Sequence, residues 1–378
     1  MNIPEEFRVI LKYFPFTGTF FSNPKTENYE TNLFDKATKL IVEIIFILYA
    51  IYIIYSSIYL GPYASKTLRV TSVIINIILL LLRLSVVSNK SRILKTLSKM
   101  RAFETMNFGR QIRSSLWKYA VFACGLCFFF PMSVAASSTA LILNNIDKYD
   151  FVMVSHNSTT ASFILFTIIL TGHQVMYMIN FYVFPGLVMT LICFVYVSYV
   201  STFQKHLDAM RIGLLKRFSG GEMSRALAVF TQARKVHQDI EKSVSFVTFL
   251  AYVIIFGNTL HLVCASVSNY LSQEGSMRDA YSITIFSWTA LWLIVLTMCG
   301  SRVTGTEVFI KNMSQEISSV KPEGPQRLMC LNFFNSCSGF NMRFSGWKMF
   351  NVDKKLILTI SGVLVTYGVL LASELRKT

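Results

Sequence analysis

The sequence predicts an all-α membrane protein with seven transmembrane helices, and three observations carry that prediction. Of the 378 residues, 53% are apolar and only 15% are charged, whereas soluble proteins have about 25% charged residues. The mean hydropathy of +0.49 is high for a soluble chain of this size. The sequence also contains several apolar runs of roughly 20 residues each, which is the length that crosses a hydrocarbon core.

Seven such runs occur, at residues 39–60, 68–88, 117–143, 174–201, 243–270, 280–301 and 353–375. The fourth run allows two interpretations, because apolar residues extend from Ala161 to Ser201 with an interruption at Gly172. Either one long span with a helical lead-in or a hairpin of two spans fits this stretch. We expect one span, kinked at Pro185, which lacks a backbone donor.

The basic residues predict an orientation and favour a single fourth span. With seven spans and the N-terminus inside, 27 basic residues lie on the inner side and 6 on the outer side, as the positive-inside rule requires. Splitting the fourth run would move the basic segment 201–242 outside. We therefore predict cytoplasmic segments at 201–242 and 302–352, a main extracellular loop at 144–173 and an outer C-terminus.

Two further patterns agree with this topology. Asn157 begins an Asn-Ser-Thr sequon in the outer loop, where it can be glycosylated, whereas the sequon at Asn312 falls inside. Apolar residues at helical spacing predict two amphipathic helices in 201–242, turned back at Gly220. Such helices either lie on the inner leaflet or pack as a cytoplasmic bundle that forms an anchor region.

Several classes of function are disfavoured. No Gly-rich phosphate loop, zinc-ligand spacing or nucleophile elbow occurs in the sequence, so we expect no enzyme, no cofactor and no metal site. The orientation of the predicted spans explains the excess of basic residues in this chain, so no nucleic-acid partner is expected. Cys124 and Cys127 lie in an apolar run and are interpreted as core residues.

The last predicted span carries a distinctive pattern, consisting of Phe350, Asp353, Gly362, Thr366 and Tyr367. This pattern resembles the C-terminal signature of arthropod gustatory receptors, in the insect-type chemoreceptor superfamily that is related to insect odorant receptors. The chain departs from the signature where the family has Gln-Phe, since Ser373 and Glu374 stand there. The inside N-terminus and the loop sizes also fit the family.

The resemblance implies a chemosensory receptor that acts as a tastant-gated, non-selective cation channel. It implies a multi-pass protein in the plasma membrane of sensory cells, in contact with lipid. Four subunits would assemble, identical or related, with the last span lining the pore and a pocket in the outer half of the bundle binding the tastant.

Small and polar residues share one face of the last span at three-to-four spacing. Taken alone, this stripe fits either a pore lining or a small-residue packing seam, and the resemblance favours the pore. The candidate pore-lining residues are Thr359, Gly362, Thr366, Leu370, Ser373 and Glu374.

Aromatic and polar residues cluster in the predicted outer halves of spans four, five and six. They either line an apolar ligand pocket with a few hydrogen-bonding groups or form the aromatic belt of the membrane interface. The candidate pocket residues are Tyr177, Phe181, Tyr182, Asn258, His261, Tyr281, Phe286 and Trp288.

Two residues of opposite charge fall near the inner ends of the first two predicted spans. Glu43 and Arg83 lie at similar depth in antiparallel spans, so they either pair or reach separately to the headgroups. The N-terminal segment 1–38 is polar and has no signal peptide pattern.

Three alternative functions remain open. A G-protein-coupled receptor has the opposite orientation, and a secondary transporter typically shows internal repeats that this sequence lacks. An accessory channel subunit without its own ligand has the same sequence features as a receptor.

Overall fold

A computed structural model describes residues 3–21, 33–59, 66–106, 116–144, 160–216, 219–267, 276–319, 335 and 342–375. The helices are α1 (Glu5–Tyr13), α2 (Leu33–Tyr59), α3 (Lys66–Thr105), α4 (Leu116–Asn144), α5 (Thr160–Met178), α6 (Phe184–Lys216), α7 (Gly220–Val267), α8 (Ser276–Ser319) and α9 (Lys354–Leu375). A 3₁₀ turn at Phe14–Thr17 follows α1, and a π turn at Ile179–Val183 joins α5 to α6. Two short antiparallel strands, β1 (Ser345–Gly346) and β2 (Phe350–Asn351), precede α9.

The long helices have the composition and the surface of membrane spans. Six helical stretches of the described chain are long and apolar enough to cross a membrane: Asp35–Tyr59, Leu68–Thr105, Leu116–Ala140, Ile164–Leu214, Gly220–Ala265 and Ser282–Met313. Helix α9 adds 22 residues. Many large apolar side chains on these helices are exposed, including Leu48, Phe129 and Ile168, as expected for faces in contact with lipid. The predicted all-α membrane fold is confirmed.

Helix α6 is the centre of the bundle. In the most apolar window of the stretch Ile164–Leu214, 89% of the residues are buried, against 17% to 44% in the other five stretches. The helix contacts α1, α4, α7 and α8. An apolar helix that is covered on all sides forms the core of such a bundle.

The helical run of the fourth apolar stretch passes through Gly172 without turning back. It changes from α to π geometry at Ile179–Val183, just before Pro185. Within the predicted extracellular loop 144–173, residues 160–173 are helical, as a helical lead-in to the fourth span requires. Their sequence is apolar enough to continue the span, and the Tyr49 hydroxyl of α2 donates to the His173 carbonyl at 3.0 Å.

The N-terminal segment contains a buried helix that the sequence analysis does not predict. Phe7, Ile10 and Phe14 are fully buried, and α1 packs against α4 and α6. Glu6 is also buried, and its carboxylate accepts a hydrogen bond from the Ser198 hydroxyl at 3.0 Å. The segment is polar on average but apolar along one face, since its three buried residues recur at helical spacing.

Helices α3, α6, α7 and α8 continue beyond the spans predicted for them, toward the predicted inner side. The expected amphipathic pattern is seen in buried side chains at Phe203, Leu207, Met210 and Leu214 of α6 and at Met223, Phe230, Ala233, Val236 and Ile240 of α7. Arg211 of α6 pairs with both carboxylate oxygens of Glu316 of α8, at 2.8 and 3.0 Å. Within one chain these extensions pack as a helical bundle.

Candidate functional site

The candidate pore helix α9 is attached to α7 through a small hairpin. The Glu241 carboxylate accepts from the backbone N–H of Ser345 at 3.0 Å and from its hydroxyl at 2.5 Å. The backbone N–H of Trp347 donates to the Ser245 carbonyl at 3.0 Å, and its ring packs against Phe246 at 5.2 Å between centroids. These contacts hold the start of α9 against one side of the bundle.

The turn of this hairpin has an unusual backbone. Trp347 and Lys348 both have positive φ, at 48° and 59°, in a conformation that disfavours residues other than glycine. The Met349 N–H closes the turn onto the Gly346 carbonyl at 2.8 Å. The packing of Trp347 on α7 and the hydrogen bonds of the hairpin hold this strained conformation.

Two residues of the C-terminal signature have structural roles at the base of α9. The Phe350 ring packs edge-on against Tyr252 of α7, with 5.2 Å between centroids. The Asp353 carboxylate accepts from the backbone N–H groups of Lys355 at 3.0 Å and Leu356 at 3.2 Å. Asp353 is therefore the N-cap of α9, which satisfies backbone donors that the first turn leaves open.

A third attachment joins the base of α9 to α8. Val352 is 2% exposed and lies against Gly300, where an added Cβ atom would overlap the valine side chain. The close approach explains why the position in α8 is occupied by glycine. The start of α9 is thus fixed to two different helices.

Helix α9 has one face on the bundle and one face exposed. Leu356 and Ile360 pack against the core, and Gly368 approaches Val263 of α7 so closely that an added Cβ atom would lie 3.2 Å from the valine. On the other side, Leu358 and Val365 are 75% and 67% exposed. Much of one side of α9 is therefore available to lipid or to another subunit.

Four of the predicted pore-lining residues, Thr359, Gly362, Thr366 and Leu370, lie on the exposed face. The Thr359 hydroxyl donates to the Lys355 carbonyl at 3.1 Å, and the Thr366 hydroxyl donates to the Gly362 carbonyl at 2.9 Å. Their donors are therefore satisfied within the helix, while their oxygens retain acceptor capacity. The backbone is helical at Ser373 and Glu374, but their side chains lie outside the described residues.

The predicted pocket residues fall in three places. Trp288 of α8 is 7% exposed and stacks on Phe130 of α4, with centroids 5.5 Å apart and planes at 7°. Its ring also reaches Gly186 of α6, where an added Cβ atom would lie 3.0 Å from it. Trp288 thus fills the junction of three helices.

A second group lies at the end of α5 and on the π turn. Tyr177 and Phe181 stack with 4.3 Å between centroids, and Tyr182 is buried. The π geometry inserts an extra residue into the turn, a feature that is frequent at functional sites.

The third place is the contact between α3 and α7, where His261 Nδ1 is hydrogen bonded to the Thr71 hydroxyl at 2.8 Å. Asn258 is half-buried nearby on α7. Phe286 is 54% exposed, and the side chain of Tyr281 lies outside the described residues.

Arg83 is the charged side chain most completely enclosed in the described bundle, and of the two alternatives for Glu43 and Arg83, the direct pair does not form. Glu43 pairs with Lys90 at 2.5 Å. The Arg83 guanidinium donates to the Thr17 carbonyl at 2.7 Å and to Asn180 Oδ1 at 3.0 Å. The physical reason is depth, because Lys90 lies two turns closer to the inner side, where two charges keep more of their hydration.

Two phenylalanine rings complete the Arg83 site. The guanidinium carbon lies 4.2 Å from the ring centroid of Phe184 and 5.2 Å from that of Phe46. These cation–π contacts replace a carboxylate partner. The site joins the N-terminal segment, α2, α3 and the π turn, and the sequence signal for it was a lone arginine inside an apolar run.

The cysteine pair of α4 is packed into the interior. Cys124 and Cys127 are buried on α4, and the Cys127 sulfur lies 3.5 Å from the Thr190 hydroxyl. Over the part of the chain that the structure describes, no group of three or more His, Cys, Asp or Glu side chains is placed to hold a metal ion.

Comparison with known proteins identifies the fold. No protein-family model and no curated protein matches the sequence. The structure is similar to the insect olfactory receptor OR5 from Machilis hrabei in complex with eugenol, with a TM-score of 0.70, 11% identity and 97% of each chain covered. It is also similar to a second structure of OR5 from Machilis hrabei, for which no ligand is named, with a TM-score of 0.63, 11% identity and 97% of each chain covered. The insect chemoreceptor fold implied by the C-terminal resemblance is confirmed.

Proposed function

We propose that the chain is a gustatory receptor that acts as a tastant-gated, non-selective cation channel. Four subunits, identical or related, would surround a pore lined by α9, in the plasma membrane of sensory cells. The chain shares its fold with olfactory receptors, and its C-terminal signature resembles that of gustatory receptors.

The observation that carries this proposal is the exposed polar stripe of α9. Thr359, Gly362 and Thr366 are exposed on a helix whose opposite face packs on the bundle. Polar side chains in a spanning helix normally face protein or a water-filled cavity. A four-fold arrangement that places these stripes around one axis gives them water, and it leaves Leu358 and Val365 for neighbouring subunits or lipid.

The outer end of the stripe supports cation selectivity. One turn beyond Leu370, Glu374 stands at the predicted outer mouth, where a carboxylate remains hydrated. Four carboxylates at a pore mouth raise the local concentration of cations and repel anions. At physiological ionic strength their effect reaches about 8 Å, so it would act at the mouth and not along the whole pore.

The proposed ligand pocket lies between the π turn and α8. Tyr177, Phe181 and Trp288 offer large aromatic surfaces there, whereas Asn258 and His261 lie at the separate contact between α3 and α7. Such a lining suits a compact, largely apolar ligand with one or two polar groups. Eugenol, which the similar receptor OR5 binds, has this chemistry and is a suitable first probe.

The direct test is electrical. Cells that express this chain alone are recorded by whole-cell voltage clamp while eugenol, other small aromatic compounds and sugars are applied. We expect a ligand-dependent current carried by Na⁺ and K⁺ alike, and none in cells without the chain. A chain that reaches the surface and stays silent both alone and with related subunits is not a ligand-gated channel.

A further inference from the structure

A polar groove lies between α3 and α7, away from the candidate pore and ligand pocket. Its volume is about 610 Å³, and it is lined by Ser88, Asn89, Ser91, Arg92, Lys95, Thr96, Lys99, Asp239 and Lys242. Pockets for drug-like molecules are lined mainly by apolar and aromatic residues. No lining residue here is of that kind, which favours a hydrophilic occupant.

The groove carries a strong positive charge. Four of its lining residues are basic, and the one carboxylate among them, Asp239, pairs with Lys99 at 2.5 Å. Within the described chain, Lys95 and Lys242 make no ion pair. Three positive charges thus converge on one polar cavity, and an occupant must be an anion.

The arrangement of the cations favours phosphate. Among the described residues, the Arg92 guanidinium makes long hydrogen bonds to neutral acceptors, at 3.3 Å to Asn89 Oδ1 and 3.4 Å to the Lys242 carbonyl. Arginine presents a fork of donors that matches phosphate oxygens, and lysine contributes a point charge. A group with two or more negative charges neutralises this site better than a phosphodiester with one.

The position of the groove matches the inner membrane surface. Ser88 ends the second predicted span, and Lys242 immediately precedes the fifth. Lys90 lies in the same stretch of α3 but forms an ion pair with Glu43. It is not among the residues that line the groove. Basic clusters directly inside a transmembrane helix are typical of sites for phosphorylated inositol headgroups.

We infer that the groove between α3 and α7 binds a multiply phosphorylated, phosphomonoester-bearing headgroup through Arg92, Lys95 and Lys242. The ligand is either a phosphoinositide of the inner leaflet or a soluble inositol phosphate, since both present the same phosphates. Bound there, it would bridge the inner ends of the second and fifth predicted spans. The inference does not depend on the proposed channel function.

The test measures binding to the purified full-length chain. Native mass spectrometry counts short-chain phosphatidylinositol bisphosphate on the wild type and on the triple variant R92Q/K95Q/K242Q. We expect the triple variant to bind on the order of 100-fold more weakly, because each basic residue contributes separately to headgroup binding. The matched control is K205Q/K235Q/K311Q, which removes three exposed basic residues from the extensions outside the groove and should change affinity by less than about threefold.

Two further arms complete the design. Inositol trisphosphate identifies the source of the phosphates: tight binding of the lipid alone assigns a membrane ligand, and equal binding of both assigns a soluble one. Lys95 has no hydrogen bond or ion pair in the described chain, so K95E keeps the fold and should weaken binding by about tenfold, whereas K95R should preserve it. Equal losses in both triple variants, or equally tight binding of phosphatidylserine, would overturn the inference.

Discussion

Arg83 of α3 donates a hydrogen bond to Asn180 of the π turn across 3.0 Å. The Asn180 side chain also donates to the Met176 carbonyl one turn earlier, at 3.0 Å. The arginine and the irregular turn therefore hold each other in place, and the second terminal nitrogen of the guanidinium donates to the Thr17 carbonyl. One buried cation fixes three separate parts of the chain.

We expect Arg83→Ala to destabilise the fold by about 2–4 kcal/mol, because it leaves buried acceptors unsatisfied and removes the cation–π contacts. Arg83→Lys should restore only part of this loss, since an ammonium group lacks the planar fork. The measurement is the melting temperature of the detergent-purified protein. The control is Lys311→Ala, at an exposed site on α8. If Arg83→Ala had the same melting temperature as this control, the role assigned to Arg83 would be contradicted.

The topology gives a second prediction, based on the excess of basic residues on the predicted inner side. Asn157, which lies outside the described residues, should carry glycan that endoglycosidase removes, and Asn157→Gln should lack it. Asn312 is exposed on α8 but should stay unmodified, because it falls on the predicted inner side. A C-terminal epitope should stain intact cells, and staining of an N-terminal epitope instead would reverse the orientation.

A third prediction concerns the ligand pocket. Trp288→Phe and Tyr177→Ala should shift the half-maximal ligand concentration, because both change the proposed aromatic lining. Phenylalanine is chosen at Trp288 because alanine would leave a cavity that costs about 3–5 kcal/mol. Surface expression and single-channel conductance should stay unchanged. Leu291→Ala, on the exposed side of α8, is the control, and identical dose–response curves for all four proteins would place the pocket elsewhere.

A fourth prediction concerns the pore. Leu370→Ser should raise the current without ligand, because a ring of four leucines excludes water when narrow and a hydroxyl ring does not. Val369→Ser, about 100° away around the helix, should have a smaller effect. Glu374→Gln should lower cation conductance or divalent block, most clearly at low ionic strength. Unchanged conductance and block at every salt concentration would mean that Glu374 points away from the axis.

Glu6 gives a prediction about pH. Burial raises the pKa of this carboxyl above its usual value of 4.5, although the Ser198 hydrogen bond opposes the shift. The folded state then holds a proton that the unfolded state has released, so stability falls as pH rises from 4.5 through the folded-state pKa. Glu6→Gln should raise the melting temperature at pH 7.5 and change it little at pH 4. Parallel melting curves for the two proteins across this range would contradict the assignment.

The sequence was sufficient for the features that depend on hydropathy and charge, and insufficient for those that depend on packing. Apolar run lengths predicted the long helices, and periodicity predicted the buried faces of α6 and α7 beyond the spans. Helix α1 was missed because average polarity hides a face of three apolar residues. The alternative in which Glu43 pairs with Arg83 was wrong. The depth of a residue along its span does not determine which of two cations, Arg83 or Lys90, keeps its hydration and pairs with the carboxylate.

The candidate site divides in the same way. The exposed stripe of α9 follows from helical spacing, so Thr359 and Thr366 were predicted to share a face and do. The distribution of the aromatic residues over three places does not follow from spacing, because it depends on how α4, α6 and α8 meet. Only the folded chain brings Trp288 onto Phe130.

The attachments at the base of α9 hold its inner end in place, so the helix can tilt about the hairpin. Ser345 and Val352 fix its inner end to α7 and α8, while toward its outer end Gly368 lies close to Val263. A tilt of about 5° around the base would move Leu370, about 24 Å along the helix, by about 2 Å. In the proposed tetramer the four leucines would separate by about 4 Å across the axis. A rearrangement too small to disturb the hairpin would then be enough to admit water at the narrowest ring.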